Sequence, residues 1–233
     1  GKTTVTTLIG ELLRAAGKSV FVGGNIGPSC FTYLTKPEGF ECVVLEISSF
    51  QLESAGDFAP DRAVLLNITP DHLDRHKTLE EYTRAKMKIF EYQSRENVAI
   101  LSADDPVCKK IAGDISSEVQ IFGQDSDCDA ILSVADSTVQ ISPEEIYSLK
   151  GTAFDSAVGV LNSAAAILAV KSLGCGPDEI RKGLKAFSQL DHRLQYVKDV
   201  GGVRYYNDSK ATNTGAVISA LGQFDSRVIL IAG

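Results

Sequence analysis

Short apolar runs alternate with helical segments along most of this chain, and no other sequence feature restricts its fold as strongly. The apolar runs are continuous rather than alternating, and the clearest lie at 20–22, 42–45, 63–66 and 98–101. Continuous runs of this kind are typical of strands that are buried on both faces of a sheet. Helices between such strands connect them in parallel. The sequence therefore predicts an α/β fold built on a mainly parallel sheet.

The helical spacing of apolar residues predicts four main helices, at about 3–16, 78–92, 158–173 and 177–187. Thr78 is the predicted N-cap of the second helix, with Glu81 as its capping-box partner. In parallel sheets, ligands collect beyond the carboxyl ends of the strands. Glu46 and Asn67 directly follow two of the predicted strands. We therefore expect both residues at the ligand-binding edge of the sheet.

Composition excludes several classes of protein. The 233 residues are 44% hydrophobic and 23% charged, which is typical of a globular chain and not of a disordered one. The net charge of −7 gives no basic footprint for nucleic acid. Apolar runs are too short for a transmembrane helix. Five cysteines without a CxxC pair favour a reduced, cytoplasmic compartment.

The chain is predicted to contain one domain and the beginning of another. Residues 1–189 form the first α/β domain, and a new strand and helix after Gly201 and Gly202 predict a second, truncated one over 190–233. The chain opens on a helix start without an initiator Met and stops after an apolar strand. We therefore expect a piece of a longer protein, so the missing leader says nothing about targeting.

The opening residues Gly1, Lys2, Thr3 and Thr4 match the end of a phosphate-binding loop, GxxxxGK[ST]. In that loop the glycine admits phosphate to the backbone, the lysine reaches the terminal phosphates and the hydroxyl ligates Mg²⁺. Only the last three positions of the pattern are present. An ordinary exposed helix start is therefore an equally good interpretation of these residues alone.

Polar residues cluster after two of the buried strands. Glu46 opens the segment EISSFQL, where a buried carboxylate needs a partner or a metal, although a plain helix cap also fits. His72, within NITPDHLDRH, is a candidate metal ligand or a hydrogen-bonded structural residue. Lys86 lies on the next helix, where a lysine is normally solvated. These residues leave metal binding and a purely structural role both open.

A third polar cluster follows the proposed domain boundary, in the segment NDSKATN at 207–213. It combines donors and acceptors with a helix start, and the simpler interpretation is a turn capped by Asp208 or Thr212. Arg193, next to His192, could clamp a phosphate with two hydrogen bonds or form an ordinary surface pair.

Seven ordered motifs together resemble the ATP-dependent Mur ligases, and most closely the members that add D-glutamate. The motifs are GKTT at 1–4, GGNIG at 23–27, LEISSFQLE at 45–53, NITPDHLDRH at 67–76, YxxxK at 82–86, DHR at 191–193 and NDSKATN at 207–213. The resemblance implies a central ATPase domain of the P-loop type, followed by the start of a Rossmann-like C-terminal domain. It spans nearly the whole chain.

This resemblance also implies an activity. Such ligases use ATP to convert the carboxylate of UDP-N-acetylmuramoyl-L-alanine into an acyl phosphate, which D-glutamate attacks to form an amide during peptidoglycan precursor synthesis. The parent protein is expected to be a cytoplasmic monomer, and the chain alone is expected to be inactive. A sibling Mur ligase, a folylpolyglutamate synthase-like ligase and a non-catalytic nucleotide-binding module are the alternatives.

By the same resemblance, roles pass to individual residues. Lys2, Glu46, His72 and Lys86 are the expected catalytic set. Thr3 and Glu46 would ligate one Mg²⁺, and His72 a second, together with Lys86 carbamylated by CO₂. The ATP site would comprise Gly1, Lys2, Thr3, Thr4, Asn162, His192, Arg193, Asp208, Lys210 and Asn213. The UDP-muramoyl substrate would contact Asn25 and Ser48.

The chain departs from the family pattern at three positions. Val158 and Gly159 stand where a His-Asn pair is common, four and three residues before Asn162. Gln195 stands where glutamate is common. The first change predicts an altered nucleotide contact in the stretch 151–158.

Overall fold

A computed structural model of the chain describes residues 1–35, 39–70, 73–224 and 226–232. The predicted α/β fold with a mainly parallel sheet is confirmed. Ten strands lie in the described residues: β1 Val20–Gly24, β2 Cys42–Glu46, β3 Arg62–Leu65, β4 Val98–Ser102, β5 Glu118–Gly123, β6 Ala130–Ser133, β7 Thr138–Ser142, β8 Glu145–Ser148, β9 Gln195–Val200 and β10 Val203–Asn207.

These strands form three sheets. A six-stranded sheet has the order β3-β4-β5-β6-β7-β8, parallel from β3 to β6 and antiparallel from β6 to β8. Strands β1 and β2 form a separate parallel pair, in which Gly24 lies opposite Glu46. Strands β9 and β10 form an antiparallel hairpin. The carboxyl ends of β1 and β2 thus meet at one edge, which is where a parallel sheet collects ligands.

The helices of the described residues are α1 Lys2–Ala15, α2 Cys30–Thr35, α3 Ser49–Glu53, α4 Leu73–His76, α5 Leu79–Met87, α6 Pro106–Ile111, α7 Ala157–Lys171, α8 Pro177–Ala186 and α9 Thr214–Leu221. Helix α5 is shorter than the predicted 78–92. After Met87 the backbone continues in turns with i→i+3 hydrogen bonds, such as Phe90 N–H to the Met87 carbonyl at 2.9 Å, which tighten the helix end.

The six-stranded sheet has an apolar layer on each face. Val98 and Ile100 point toward one cluster, with α1, α7 and α8, whereas Ala99 and Leu101 point toward another, with α5 and α6. Successive side chains of a strand alternate between faces, so one continuous apolar run serves both layers. Helix α7 is buried nearly all round, as expected for a helix without a polar face.

The outer segment of the chain is more exposed. Strands β9 and β10 present their side chains mostly to solvent, and α9 has no buried residue. The division into domains at residue 190 stays a prediction. Within the described residues, no helix is both long enough and apolar enough to cross a membrane.

Candidate functional site

The N-terminus of α1 meets the carboxyl ends of β1 and β2. Gly1 is the N-cap of this helix and Lys2 and Thr3 form its first turn. The first backbone N–H groups of a helix have no partner within the helix and carry partial positive charge. The N-terminus of α1 therefore favours an anion, and it lies beside Glu46, the buried last residue of β2.

Glu46 is the centre of this arrangement. Its side chain is 4% exposed, and both carboxylate oxygens have partners. The Thr3 hydroxyl donates to Oε2 at 2.6 Å, the Asn25 amide donates to Oε1 at 3.0 Å, and the Lys2 ammonium lies 3.9 Å from Oε1. A buried carboxylate is tolerated when hydrogen bonds and an opposite charge compensate its lost hydration.

The backbone of the GGN segment brings Asn25 to Glu46. The Asn25 N–H donates to the Glu46 carbonyl at 2.8 Å. Gly24 has φ +101°, and a Cβ there would lie 2.4 Å from the same carbonyl oxygen. Only glycine permits both the left-handed backbone and this close approach. The glycine is therefore the local reason that Asn25 reaches the carboxylate.

The predicted substrate residue Ser48 caps α3. Its hydroxyl accepts a hydrogen bond from the Gln51 N–H at 3.3 Å, and the Gln51 side chain accepts one from the Ser48 N–H at 2.9 Å. This reciprocal pair is a capping box. The sequence analysis predicted that motif at Thr78 and Glu81 instead. Thr78 is the N-cap of α5, as predicted, and its hydroxyl accepts from the Glu81 N–H at 3.1 Å, whereas its own N–H donates to the His76 carbonyl at 2.7 Å. The capping interpretation of the segment after Glu46 is confirmed.

Of the other predicted metal ligands, His72 lies outside the described residues. Lys86 donates to the Asn67 carbonyl at 3.1 Å, and its Nζ lies 4.6 Å from the centre of the Tyr82 ring. Lys86 therefore lies beside Asn67, two residues after the end of β3. Among residues 1–35, 39–70, 73–224 and 226–232, no group of three or more His, Cys, Asp and Glu side chains is arranged to hold a metal.

Behind Lys86, Cys108 is fully buried on α6. Burial and the neighbouring Asp105 carboxylate raise the pKa of the Cys108 thiol to about 12. Cys108 therefore stays protonated at neutral pH. The Cys108 thiol therefore adds no negative charge next to Lys86.

A cavity of about 340 Å³ opens beside the start of α1. Six of the predicted ATP residues line it: Gly1, Thr4, Asn162, Arg193, Asp208 and Lys210. The cavity is also lined by residues 152–156, Val158 and Gly159. The Asn162 Oδ1 atom is buried and has no hydrogen-bond partner in the described part of the chain. A buried acceptor of this kind is costly unless a ligand or water donates to it.

The remaining residues of the predicted ATP site have other contacts. His192 is exposed, and its Nδ1 lies 2.9 Å from the Asn207 amide nitrogen. Asn213 is the N-cap of α9 and accepts from the Ala216 N–H at 2.8 Å. The prediction that Asp208 or Thr212 caps this helix is therefore wrong. Asn213 has the extended backbone of an N-cap, because the helix begins at the next residue.

The sequence reasoning missed His76, which joins α3 to α4 and α5. The ring is 4% exposed. Its Nε2 lies 2.9 Å from the Ser49 hydroxyl, and its Nδ1 lies 3.5 Å from a Glu53 oxygen. The ring also stacks on Phe50, with 5.6 Å between centres, and packs against Tyr82. A histidine three residues before the start of an amphipathic helix gives no period that reveals these contacts.

We expect His76→Ala to destabilise the fold by about 2–3 kcal/mol, because it leaves a cavity between two aromatic rings and strands the Ser49 hydroxyl. Urea unfolding followed by circular dichroism measures this change. Arg84→Ala, at an exposed position on α5, is the control and should stay within about 0.5 kcal/mol of the wild type. Equal stability of the His76 and Arg84 variants would contradict the structural role of the ring.

Comparison with known proteins agrees with this geometry. The Mur ligase middle domain family matches residues 1–170. The chain belongs to the Mur ligase family. It is 49% identical over its whole length to a UDP-N-acetylmuramoylalanine–D-glutamate ligase of Desulfotalea psychrophila, and 40% identical to one of Syntrophus aciditrophicus. It covers 51% and 52% of these two proteins, so this Mur ligase chain spans about half the length of the curated relatives it matches.

Solved Mur ligase structures share the fold. MurF from Acinetobacter baumannii matches 97% of this chain and 52% of its own, with a TM-score of 0.76 and 21% identity. A MurF ligase from Thermotoga maritima in complex with ADP matches 97% of this chain and 56% of its own, with a TM-score of 0.72 and 24% identity. Identities this low establish the architecture alone.

Two of the three departures from the Mur ligase pattern, Val158 and Gly159, lie in the wall of the cavity. Val158 lines it, and the Gly159 N–H donates to Ser156 Oγ, the N-cap of α7, at 3.1 Å. A Cβ at Gly159 would lie 2.3 Å from the Phe154 carbonyl oxygen. The stretch before α7 therefore packs directly on the glycine. The third departure, Gln195, accepts from the His192 N–H at 3.0 Å.

Proposed function

We propose that the chain is the catalytic part of a ligase that joins D-glutamate to UDP-N-acetylmuramoyl-L-alanine with ATP. The observation that carries this proposal is the Glu46 cluster at the N-terminus of α1. It places a lysine, a hydroxyl and a buried carboxylate within hydrogen-bond or ion-pair reach of one another. The first relatives, at 49% and 40% identity, bear the name of that activity.

The residues at this cluster suit a nucleotide and a divalent cation. Carboxylate and hydroxyl oxygens are the ligands that Mg²⁺ prefers, and Glu46 and Thr3 supply both. Bound there, Mg²⁺ would offset the charge of the phosphates. Lys2 would hold the β- and γ-phosphates, and the α1 N-terminus would favour them. Gly1, Thr4, Asn162, Arg193, Asp208 and Lys210 would line the nucleotide cavity, with His192 and Asn213 at its margin.

The proposed substrate would lie on the side of the Glu46 cluster that carries Asn25 and Ser48. Asn25 and Ser48 would contact the UDP-muramoyl group, and the substrate carboxylate would accept the γ-phosphoryl group. The resulting acyl phosphate has a phosphate leaving group, which a free carboxylate lacks. The amine of D-glutamate would attack the carbonyl carbon and expel phosphate, which leaves an amide.

We also propose a carbamate on Lys86, formed from CO₂, together with His72 as holders of a second Mg²⁺. Carbamylation needs the neutral amine and converts a cation into an anion with two oxygens. The position of Lys86 beside Asn67, at the ligand-binding edge, supports this role. The parent protein would be a cytoplasmic monomer that binds no nucleic acid and no membrane.

A chimera tests the proposed function. We would replace the matching half of the Desulfotalea psychrophila ligase with this chain and measure phosphate release. We expect turnover that requires ATP, UDP-N-acetylmuramoyl-L-alanine and D-glutamate together. The same chimera carrying Lys2→Ala is the control, because it shows that turnover depends on this chain. The isolated chain should give no turnover.

The same assay separates the alternatives. A second chimera carries the flanking parts of Acinetobacter baumannii MurF. Turnover in that chimera alone would favour a sibling ligase. Binding of ATP without turnover in either chimera would favour a non-catalytic nucleotide-binding module.

A further inference from the structure

Arg193 reaches across the molecule to the first turn of α1. Its Nη2 donates a hydrogen bond to the Thr3 hydroxyl at 2.5 Å, over a separation of 190 residues. That hydroxyl in turn donates to Glu46 Oε2 at 2.6 Å. The three side chains therefore form one chain of hydrogen bonds, with a cation at one end and a buried anion at the other.

The backbone around Arg193 is held in an unusual shape. His192 and Leu194, on either side of it, have φ of +62° and +47°. Left-handed backbone is unfavourable for residues other than glycine, and most of all for those without a short polar side chain. Such conformations persist where the surroundings fix them. The turn at Arg193 must therefore be fastened by other groups.

Several hydrogen bonds fasten this turn, among them three to the backbone of His192 and Leu194. The Leu194 N–H donates to Asp208 Oδ1 at 2.9 Å, and the Lys210 N–H donates to the His192 carbonyl at 3.2 Å. The His192 N–H donates to the Gln195 side chain at 3.0 Å. Together these contacts aim the Arg193 guanidinium at Thr3.

We propose that Arg193 takes the place of the divalent cation on Thr3, so that cation and guanidinium compete for one hydroxyl oxygen. The proposal rests on the proposed function, which gives Thr3 and Glu46 the cation. The hydroxyl already donates its proton to Glu46, so a ligand must use the oxygen lone pairs. Arg193 occupies one of the two lone pairs and holds its guanidinium against the same oxygen. A cation bound there would also be repelled by the guanidinium at short range.

This competition has a consequence for the link between the two parts of the chain. Arg193 lies directly after the α7–α8 part of the fold and directly before the β9–β10 hairpin. When a cation displaces its guanidinium, the turn that leads into the hairpin loses its hydrogen bond to α1. Arg193 is then released toward the cavity that it lines. Cation binding at Thr3 thus changes how the outer segment is tied to the nucleotide site.

Binding of Mn²⁺ alone to this chain, followed by electron paramagnetic resonance, tests the competition without nucleotide or turnover. We expect Arg193→Gln to bind Mn²⁺ about tenfold more tightly than the wild type, since a competing positive charge is removed. Arg204→Gln is the matched control, because it removes the same charge from the exposed hairpin. Circular dichroism confirms that both variants are folded.

An affinity of Arg193→Gln equal to or below that of the wild type would overturn the proposal. So would an equal gain in Arg204→Gln, since the effect would then be one of net charge. If no variant binds Mn²⁺, with or without ADP, the proposed function fails as well. Binding that is the same in the wild type and Arg193→Gln contradicts the competition alone.

A second measurement tests the competition directly in the wild-type chain. The Arg193 guanidinium should give a slowly exchanging N–H resonance in the ¹⁵N spectrum, assigned by its absence from Arg193→Gln. Saturating Mg²⁺ should abolish that resonance in the wild type. A resonance that persists unchanged in saturating Mg²⁺ would show that Arg193 and the cation do not share Thr3.

Discussion

Glu46→Gln should weaken the binding of Mg²⁺-ADP to this chain by about 100-fold or more, because the substitution removes the charge of the buried carboxylate that accepts from Thr3. Glutamine keeps the size of the side chain and can still accept the Thr3 hydrogen bond. The loss therefore reports charge rather than shape. Isothermal titration calorimetry with Mg²⁺ and ADP measures the dissociation constant.

The control lies at the other end of the same strand. Glu41 directly precedes β2, is 58% exposed and accepts from the Ser19 N–H at 3.0 Å. Glu41→Gln removes the same charge far from the helix N-terminus and should leave the affinity unchanged. If Glu46→Gln binds as tightly as the wild type, the carboxylate is only a structural partner of Thr3 and Lys2.

The expectation for Glu46 came from the sequence because it follows from a rule of the fold. A continuous apolar run specifies a buried strand, and the residue after it lies at the ligand-binding edge. The same rule predicted the position of Asn67, but it gave no sign that Lys86 would donate to the Asn67 carbonyl. Helix α1 and the glycine at its start could also be predicted from the sequence, because the apolar spacing and the GKTT motif lie within one short window.

Contacts between distant segments were not readable in this way. Arg193 meets Thr3 only because a turn with two left-handed residues aims it there, and neither His nor Leu signals such a backbone. His76 was missed for a related reason. The His76 ring packs between Phe50 and Tyr82, which belong to different helices. Local patterns specify elements, whereas these side chains depend on how the elements pack.

The helix ends show the same limit on a smaller scale. Helices α2, α3 and α4 have only four to six residues and no full amphipathic repeat, so the apolar spacing gave no signal for them. The cap of α9 was placed at Asp208 or Thr212 rather than at Asn213. Several residues in that segment have the side chain of an N-cap. Asp208 instead accepts from the distant Leu194 N–H, and the helix begins only after Asn213.

Gly159→Asn should destabilise the chain by about 3 kcal/mol or more, even though it restores the residue that the family resemblance leads us to expect. A Cβ at this position would meet the Phe154 carbonyl oxygen at 2.3 Å and the Phe154 Cα at 2.6 Å, and backbone atoms cannot swing aside. Urea unfolding measures the loss. Gly113→Ala is the control, because a Cβ there has no atom within 4 Å.

The neighbouring substitution, Val158→His, separates packing from pocket chemistry. Val158 is only partly buried in the cavity wall, so histidine there should leave stability within about 0.5 kcal/mol of the wild type. If Gly159→Asn proved as stable as Val158→His, the stretch before α7 could adopt the common family geometry, and the two departures would be independent changes.

The expected instability at Gly159 follows from the packing of the cavity wall, in which neighbouring residues are held by linked contacts. Phe154 is 1% exposed and packs on Phe187 with 4.8 Å between ring centres. The next residue, Asp155, accepts from the Ser137 hydroxyl at 2.5 Å and from the Gly151 N–H at 2.9 Å, and these bonds hold the pKa of its carboxyl below the ordinary value. These contacts are satisfied together, so Val158 and Gly159 belong to a wall that is packed as one unit, and a side chain added at Gly159 must disturb all of it.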